Sequence, residues 1–233
     1  MVSENSRDSA TGAAGSAECR GLFIALEGGD GAGKSTQSRL LAERLRSTGR
    51  EVLTTREPGG TPIGEKLRNL VLDHGHGEID ARTEALMFAA SRAAHAEQVL
   101  RPALSAGTTV ITDRYIDSSV AYQGGGRSLG TGTVRDLNAW ATGELWPDLT
   151  VLLDVDPAAG RSRRAAGTSA EDRLESEPDD FHGRIRAAFL ELATTAKDRY
   201  LVLDASRPAE ELAAVIGEKV DELTAAHSVK GSA

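Results

Sequence analysis

"LFIALEGGDGAGKSTQSRLL", residues 22–41, sets an apolar run against four glycines, a lysine and a serine, then a run of helical character. Gly28, Gly33, Lys34 and Ser35 fit the spacing G-x-x-x-x-G-K-[ST]. Glycine tolerates positive φ and lets the backbone come close to a ligand, so the N–H groups of Gly28, Gly29, Asp30, Gly31, Ala32 and Gly33 can form an anion nest. The helix that follows presents its N-terminus to the same anion. In such a loop Lys34 reaches the terminal phosphates of ATP, Ser35 ligates Mg²⁺, and Thr36 completes the loop. The stretch therefore predicts strand, phosphate loop and helix. GTPases, motor ATPases and small-molecule kinases share that unit, so it does not by itself give the reaction.

Further near-continuous apolar runs at 51–55, 108–112, 149–155 and 200–204 read, with 22–27, as strands covered on both faces. Helical patterns occupy 34–48, 63–72, 80–105, 131–142, 157–166, 179–197 and 208–225. The alternation predicts an α/β, doubly wound P-loop NTPase fold: a five-stranded parallel sheet with helices on both faces and a small lid. Ligands in such folds bind beyond the carboxyl ends of the strands, so the polar motifs "GGDGAGKS", "REPGG" and "DRY" should converge on one rim. No repeat and no interdomain linker is visible. One domain is expected over 20–226, with a lid near 160–175 and disordered tails at 1–19 and 227–233.

Bulk composition narrows the function. The 233 residues carry a formal charge of −8, against a protein that coats nucleic acid. No run approaches the length of a membrane span, and the N-terminus lacks the apolar core of a signal peptide. The single cysteine, Cys19, can form no internal disulfide, which suits a reducing cytoplasm. With aromatics at 4%, the core must be aliphatic. A guanine-reading N-K-x-D is absent, which lowers the GTPase reading.

Six segments in order, "EGGDGAGKST", "REPGGTPIGEKLR", "EALMFAASR", "DRYIDSSVAYQGGGR", "PDLTVLLDVDP" and "EDRLE", together resemble the thymidylate kinase family. The resemblance implies transfer of the ATP γ-phosphoryl to dTMP, with Mg²⁺, in a cytoplasmic homodimer. Phe88 and Arg92 stand four residues apart on one helix face. Read alone they suit a core position and a solvated one; the resemblance implies that Phe88 stacks on thymine and Arg92 donates to its exocyclic oxygen. It likewise sets Tyr122 under the deoxyribose, where no 2′-hydroxyl fits, with Ser119 and Gln123 near the base. Arg114 is implied to hold the dTMP phosphate, which a planar guanidinium can grip by two oxygens. Arg56 is a second phosphate clamp, Glu57 and Pro58 shape the loop, and Pro58 admits either isomer. Arg68 matches a basic position of the family and also suits a surface. Asp113 serves either as a second Mg²⁺ element or as a partner to an arginine. Asp30 matches a carboxylate that accepts from the 3′-hydroxyl of dTMP or holds a magnesium water. Arg207, after the last strand, is implied to stack on adenine.

Charge neutralisation on the transferring phosphoryl group calls for an approaching arginine. Some thymidylate kinases carry it in the phosphate loop after the aspartate, where this chain has Gly31. Here Arg161, Arg163 and Arg164 precede "GTSAEDRLE", resembling the bacterial type with a lid arginine. Arg163 is first by alignment and Arg164 second; a solvated basic helix balanced by Glu171 and Asp172 is the other reading. Gly160 and Gly167 would let the lid close and exclude water. Another nucleoside monophosphate kinase, or a P-loop binding module without an acceptor, remains as the alternative function. The glycine-rich "GGGRSLGTG" is expected to be mobile and has no assigned role.

Overall fold

A computed structural model of the chain describes residues 20–165 and 171–230, with side chains described to residue 226. Cys19, the expected N-terminal tail, the end of the chain from 231, and Gly167 with its neighbours in 166–170 lie outside the described residues. Five strands, β1 (Phe23–Glu27), β2 (Val52–Arg56), β3 (Thr109–Asp113), β4 (Leu149–Asp154) and β5 (Tyr200–Asp204), form one parallel sheet of order β2-β3-β1-β4-β5. The helices are α1 (Lys34–Ser47), α2 (Pro62–Leu72), α3 (Ala81–His95), α4 (Arg101–Ser105), α5 (Ile116–Ser119), α6 (Thr131–Thr142), α7 (Pro157–Ala165), α8 (Asp179–Thr195) and α9 (Ala209–Lys230). The last one runs past the expected end at 225, so residues 227–230, read as tail, have helical backbone.

The central strand β1 is buried throughout, and its side chains alternate between two cores. Ile24 and Leu26 pack with Leu41 and Leu45 of α1 and with Leu212 and Ile216 of α9. Phe23 and Ala25 face Leu100, Leu104 and Val134 on the opposite side. A third cluster joins Leu152 of β4 to Phe181, Ile185 and Phe189 of α8. Each fully buried aliphatic side chain contributes about 1.5–3 kcal/mol of transfer free energy, so the phosphate loop hangs from the best-anchored strand of the sheet. The outer strands depart from the expectation of two covered faces: β2 is half-exposed and Val202 of β5 is 45% exposed, as befits sheet edges.

Two helical details differ from the sequence reading. The 80–105 helix contains a π-helical turn, Ala96–Leu100, which ends two residues before Pro102. Proline has no N–H and crowds the carbonyl four residues back, and a widened turn relieves both. Residues 116–126, for which no helix is expected, form α5 followed by a π-helical segment, Val120–Gly126. Its three glycines have low helix propensity, yet packing requires them. A Cβ on Gly125 would lie 2.8 Å from the Ala188 Cβ, and one on Gly126 would lie 2.6 Å from the Phe181 ring. The stretch read as mobile thus has Gly124 and Gly126 buried in the interface with α6 and α8. Among the described residues no helix is long and apolar enough to cross a membrane.

Candidate active site

The phosphate loop leaves β1 at Gly28, whose φ of 133° only glycine adopts readily; a Cβ there would lie 2.3 Å from the Leu153 carbonyl oxygen. Gly33, at φ 94°, caps α1 and leaves Lys34 to open it. Lys34 is buried and donates to the Gly28 and Gly29 carbonyls at 3.1 and 2.9 Å. Burial and the nearby Arg114 lower its pKa, partly opposed by Asp30 and Asp113. Ser35 Oγ donates to Asp113 Oδ2 at 2.8 Å, bringing two oxygen groups together at the end of β3. Gly29 and Ala32 complete the turn, with Ala32 N–H donating to the Gly29 carbonyl at 3.3 Å.

Arg114 follows Asp113 with φ 70°, a left-handed backbone that costs an arginine about 1–3 kcal/mol. Its guanidinium donates to Gly28 O at 3.1 Å, to Ser118 Oγ at 3.0 Å, to the Tyr122 hydroxyl at 3.1 Å and to Asp30. Tyr122 in turn donates to the other Asp30 oxygen at 2.8 Å. Burial disfavours the charge on Asp30, but Arg114, Lys34 and the Tyr122 hydroxyl outweigh it and hold the carboxyl well below the usual range. A carboxylate in the phosphate loop is thus ion-paired to the arginine of the "DRY" segment.

Behind Arg114, Glu27 is fully buried and accepts from Tyr115 N–H, Ser118 N–H and Ser118 Oγ. Burial, helped by Asp117, pushes its pKa from the ordinary carboxylate value up to about 7. Between the ordinary value and about pH 7 only the folded chain keeps this proton, so the contribution of Glu27 to stability falls as pH rises through that window. Glu27→Gln removes the titration. The Tm of the parent minus that of the variant is expected to fall from pH 5 to pH 8, a constant difference being the contrary result.

A cavity between β3, α2, α3 and the π-helical segment is lined by Asp30, Glu57, Pro58, Arg68, Leu72, Phe88, Arg92, Arg114, Ser119, Tyr122, Gln123, Asp172, Leu174 and Glu175. Phe88 and Arg92 both reach it from one face of α3. Arg92, 2% exposed, donates through Nε to Glu57 Oε2 at 2.5 Å and through Nη1 to Ser119 Oγ at 2.9 Å and to Asn138. The solvated reading of Arg92 is thereby overturned. Gln123 donates to buried Glu84 at 2.8 Å, and Glu84 also takes Arg127 and Arg173, tying the cavity wall to the "EDRLE" segment. The Glu57–Pro58 peptide is cis, and Arg56 bonds the Pro58 carbonyl at 2.8 Å and Glu65 at 3.0 Å.

The cavity opens into a cleft formed by Gly31, Gly33, Lys34, Ser35, Thr36 and Asp113 on one side and by Arg56, Arg68, Arg163 and Arg164 around it, with Asp30, Glu57, Arg68, Arg114 and Glu175 shared by both spaces. Helix α7 presses on the phosphate loop: a Cβ on Gly31 would lie 2.2 Å from the Gly160 carbonyl oxygen. No side chain fits at position 31 in this packing, and cations come from α7 instead. Arg163 donates to the Ala205 carbonyl at 2.9 Å and lies 3.5 Å from that of Gly31. Arg164 pairs with Glu171 at 3.4 Å and Glu175 at 3.7 Å, while Arg161 turns away to Asp179. Arg207 is exposed and pairs with Glu211, four residues on in α9.

Sequence reasoning gave Asp172 and Glu175 only a charge-balancing role or none, and it missed Leu174 as a cavity residue. It also passed over His95, Asn138 and Glu84, buried polar groups of helices whose side-chain partners lie 38 or more residues away. Nothing local signals such pairs.

A parallel sheet with a phosphate loop after its central strand, and a second enclosed pocket opening on the same cationic cleft, define an enzyme of the P-loop NTPase fold built like a nucleotide kinase. The family model for thymidylate kinase matches residues 26–216. Thymidylate kinase of Clavibacter michiganensis subsp. michiganensis is 56% identical over 206 residues, 88% of this chain and 97% of the relative. Those of Leifsonia xyli subsp. xyli and Deinococcus radiodurans are 55% and 53% identical, covering 86% and 87% of this chain and 95% and 98% of theirs. The chain belongs to the thymidylate kinase family.

Proposed function

We propose that the protein transfers the γ-phosphoryl group of ATP to dTMP, giving ADP and dTDP. The observation that carries this reading is the Arg114–Asp30–Tyr122 cluster, which stands between the phosphate loop and the enclosed cavity and lines the latter. Two nucleotides entering from the two sides would meet there phosphate to phosphate. ATP lies along Gly28–Thr36, with Lys34 exchanging the Gly28 and Gly29 carbonyls for phosphate oxygens. In the cavity Phe88 stacks on thymine, Arg92 donates to its exocyclic oxygen, and Ser119 and Gln123 border the base. Arg114, Arg56 and Arg68 grip the dTMP phosphate, and Asp30 accepts from the 3′-hydroxyl or holds a magnesium water. Little covalent chemistry is required of the side chains, which orient the acceptor oxygen in line and spread positive charge over the equatorial oxygens.

The Ser35 and Asp113 oxygens, 2.8 Å apart, suit a hard cation that keeps most of its waters and takes its other ligands from phosphate. Mg²⁺ held there would neutralise the β- and γ-phosphate charge. Residues 20–226 then form one catalytic domain with a lid near 160–175. A homodimer is proposed from exposed apolar side chains on the neighbouring helices α2, α3 and α6: Ile63, Leu70, Leu86, and Trp140, which is 81% exposed. The cytoplasmic location rests on the ATP requirement and the lone Cys19.

Incorporation of the terminal label of γ-labelled ATP into dTDP tests the reaction; label released only as inorganic phosphate contradicts it. Selection against ribonucleotides tests the cavity. Tyr122→Ala is expected to raise kcat/KM for UMP relative to dTMP by about tenfold or more, because the ring no longer excludes a 2′-hydroxyl. Tyr122→Phe keeps the ring and should keep the discrimination while weakening dTMP binding through the lost Asp30 and Arg114 bonds. UMP remaining as poor a substrate for the alanine enzyme sinks the steric argument.

A further inference from the structure

Behind the Arg92 guanidinium lies a string of buried polar groups that the transfer reaction does not explain. Glu57 splits its carboxylate: Oε2 accepts from Arg92 Nε at 2.5 Å, and Oε1 lies 2.9 Å from His95 Nδ1. His95 Nε2 lies 2.8 Å from Thr55 Oγ1. His95 is wholly buried, and the ring is wedged against the loop after Pro58, where a Cβ on Gly60 would lie 2.6 Å from its Cδ2. Glu57 serves as acceptor toward Arg92, so Nδ1 carries the proton toward Glu57, and Nε2 meets the Thr55 hydroxyl.

We propose that His95 is a positioning residue for base recognition: through Glu57 it sets the angle at which Arg92 meets the base. The inference rests on the dTMP reading of the cavity. Arg92 Nε and Nη1 are bonded to Glu57, Ser119 and Asn138, which leaves Nη2 as the nitrogen offered to a ligand. The direction of Nη2 depends on the plane of the guanidinium, and that plane follows the Glu57 carboxylate. A carboxylate torsion is broad unless both oxygens are held. His95 holds the second oxygen and is itself held by Thr55, so the chain Thr55–His95–Glu57–Arg92 runs from strand β2 to the base. Burying charged and polar groups in a row is costly compared with an apolar filling, which marks the string as a device for orientation rather than for stability.

A double-mutant cycle on KM for dTMP tests this. His95→Ala is expected to raise KM for dTMP about tenfold and leave KM for ATP within about twofold, since only the first nucleotide meets Arg92. In an Arg92→Ala background the same change should add less than about twofold. His95→Asn, whose amide nitrogen sits near the Nδ1 position, should recover most of the loss, whereas His95→Gln should not. The Asn and Gln pair also carries the test if the alanine enzyme fails to fold. Equal losses in both backgrounds, or equal behaviour of Asn and Gln, would reduce His95 to packing and overturn the inference. An Arg92→Ala enzyme with unchanged KM for dTMP would remove the base-reading role and the inference with it.

Discussion

Arg163→Ala is expected to lower kcat by about a hundredfold or more while leaving KM for dTMP nearly unchanged, because a cation that meets the transferring phosphoryl group acts mainly in the transition state. Arg163 bonds only carbonyl oxygens, those of Ala205 and Gly31, and has no carboxylate within ion-pair distance among the described residues. Its charge is therefore available at the mouth of the phosphate loop. Arg164, one residue on, faces Glu171 and Glu175 and is partly neutralised. Arg164→Ala should then cost less than Arg163→Ala. Gly31 is pressed against Gly160, so the loop itself has no room for an arginine at that position, while α7 sets Arg163 and Arg164 at the edge of the cleft. Steady-state kinetics on both variants decides. An unchanged kcat for Arg163→Ala transfers the role to Arg164.

Arg114→Ala is expected to reduce kcat/KM for dTMP by about a thousandfold, with KM for ATP changed only slightly. Two losses combine. The acceptor phosphate loses a guanidinium fork, and Asp30 loses its ion-pair partner, so a carboxylate offset only by Lys34 and the Tyr122 hydroxyl faces the entering phosphate. Arg114→Lys keeps one charge without the fork and should fall between the two, since a single ammonium cannot serve Gly28, Ser118, Tyr122 and Asp30 together. Asp30→Asn in the Arg114→Ala background should recover part of the activity by removing the repulsion. Failure of that double variant to improve on Arg114→Ala would mean that the loss is positional, with no electrostatic share.

The sequence made the phosphate loop legible because its signal is local: glycines, lysine and serine at fixed spacing between a strand and a helix. The sheet was legible for the same reason, down to the helix at Thr131–Thr142 and the strand at Tyr200–Asp204. What stayed hidden depends on contacts across the chain. The pairing of Asp30 with Arg114 and Tyr122 joins residues 84 and 92 positions apart. Helix formation at 116–126 overrides the low propensity of three glycines, because α6 and α8 can approach only where no Cβ intervenes. His95 reads as an unremarkable helix residue until Glu57, just after β2, meets it and Arg92 together.

The account stands most directly on acceptor choice, measured as ADP release from ATP and Mg²⁺ with dTMP, dUMP, UMP, dCMP and AMP offered in parallel. A strong preference for dTMP, with UMP far behind, is the predicted result and supports the transfer reaction together with the Phe88, Arg92 and Tyr122 cavity. Faster turnover with another of these monophosphates, or ATP binding with no turnover on any, would contradict it.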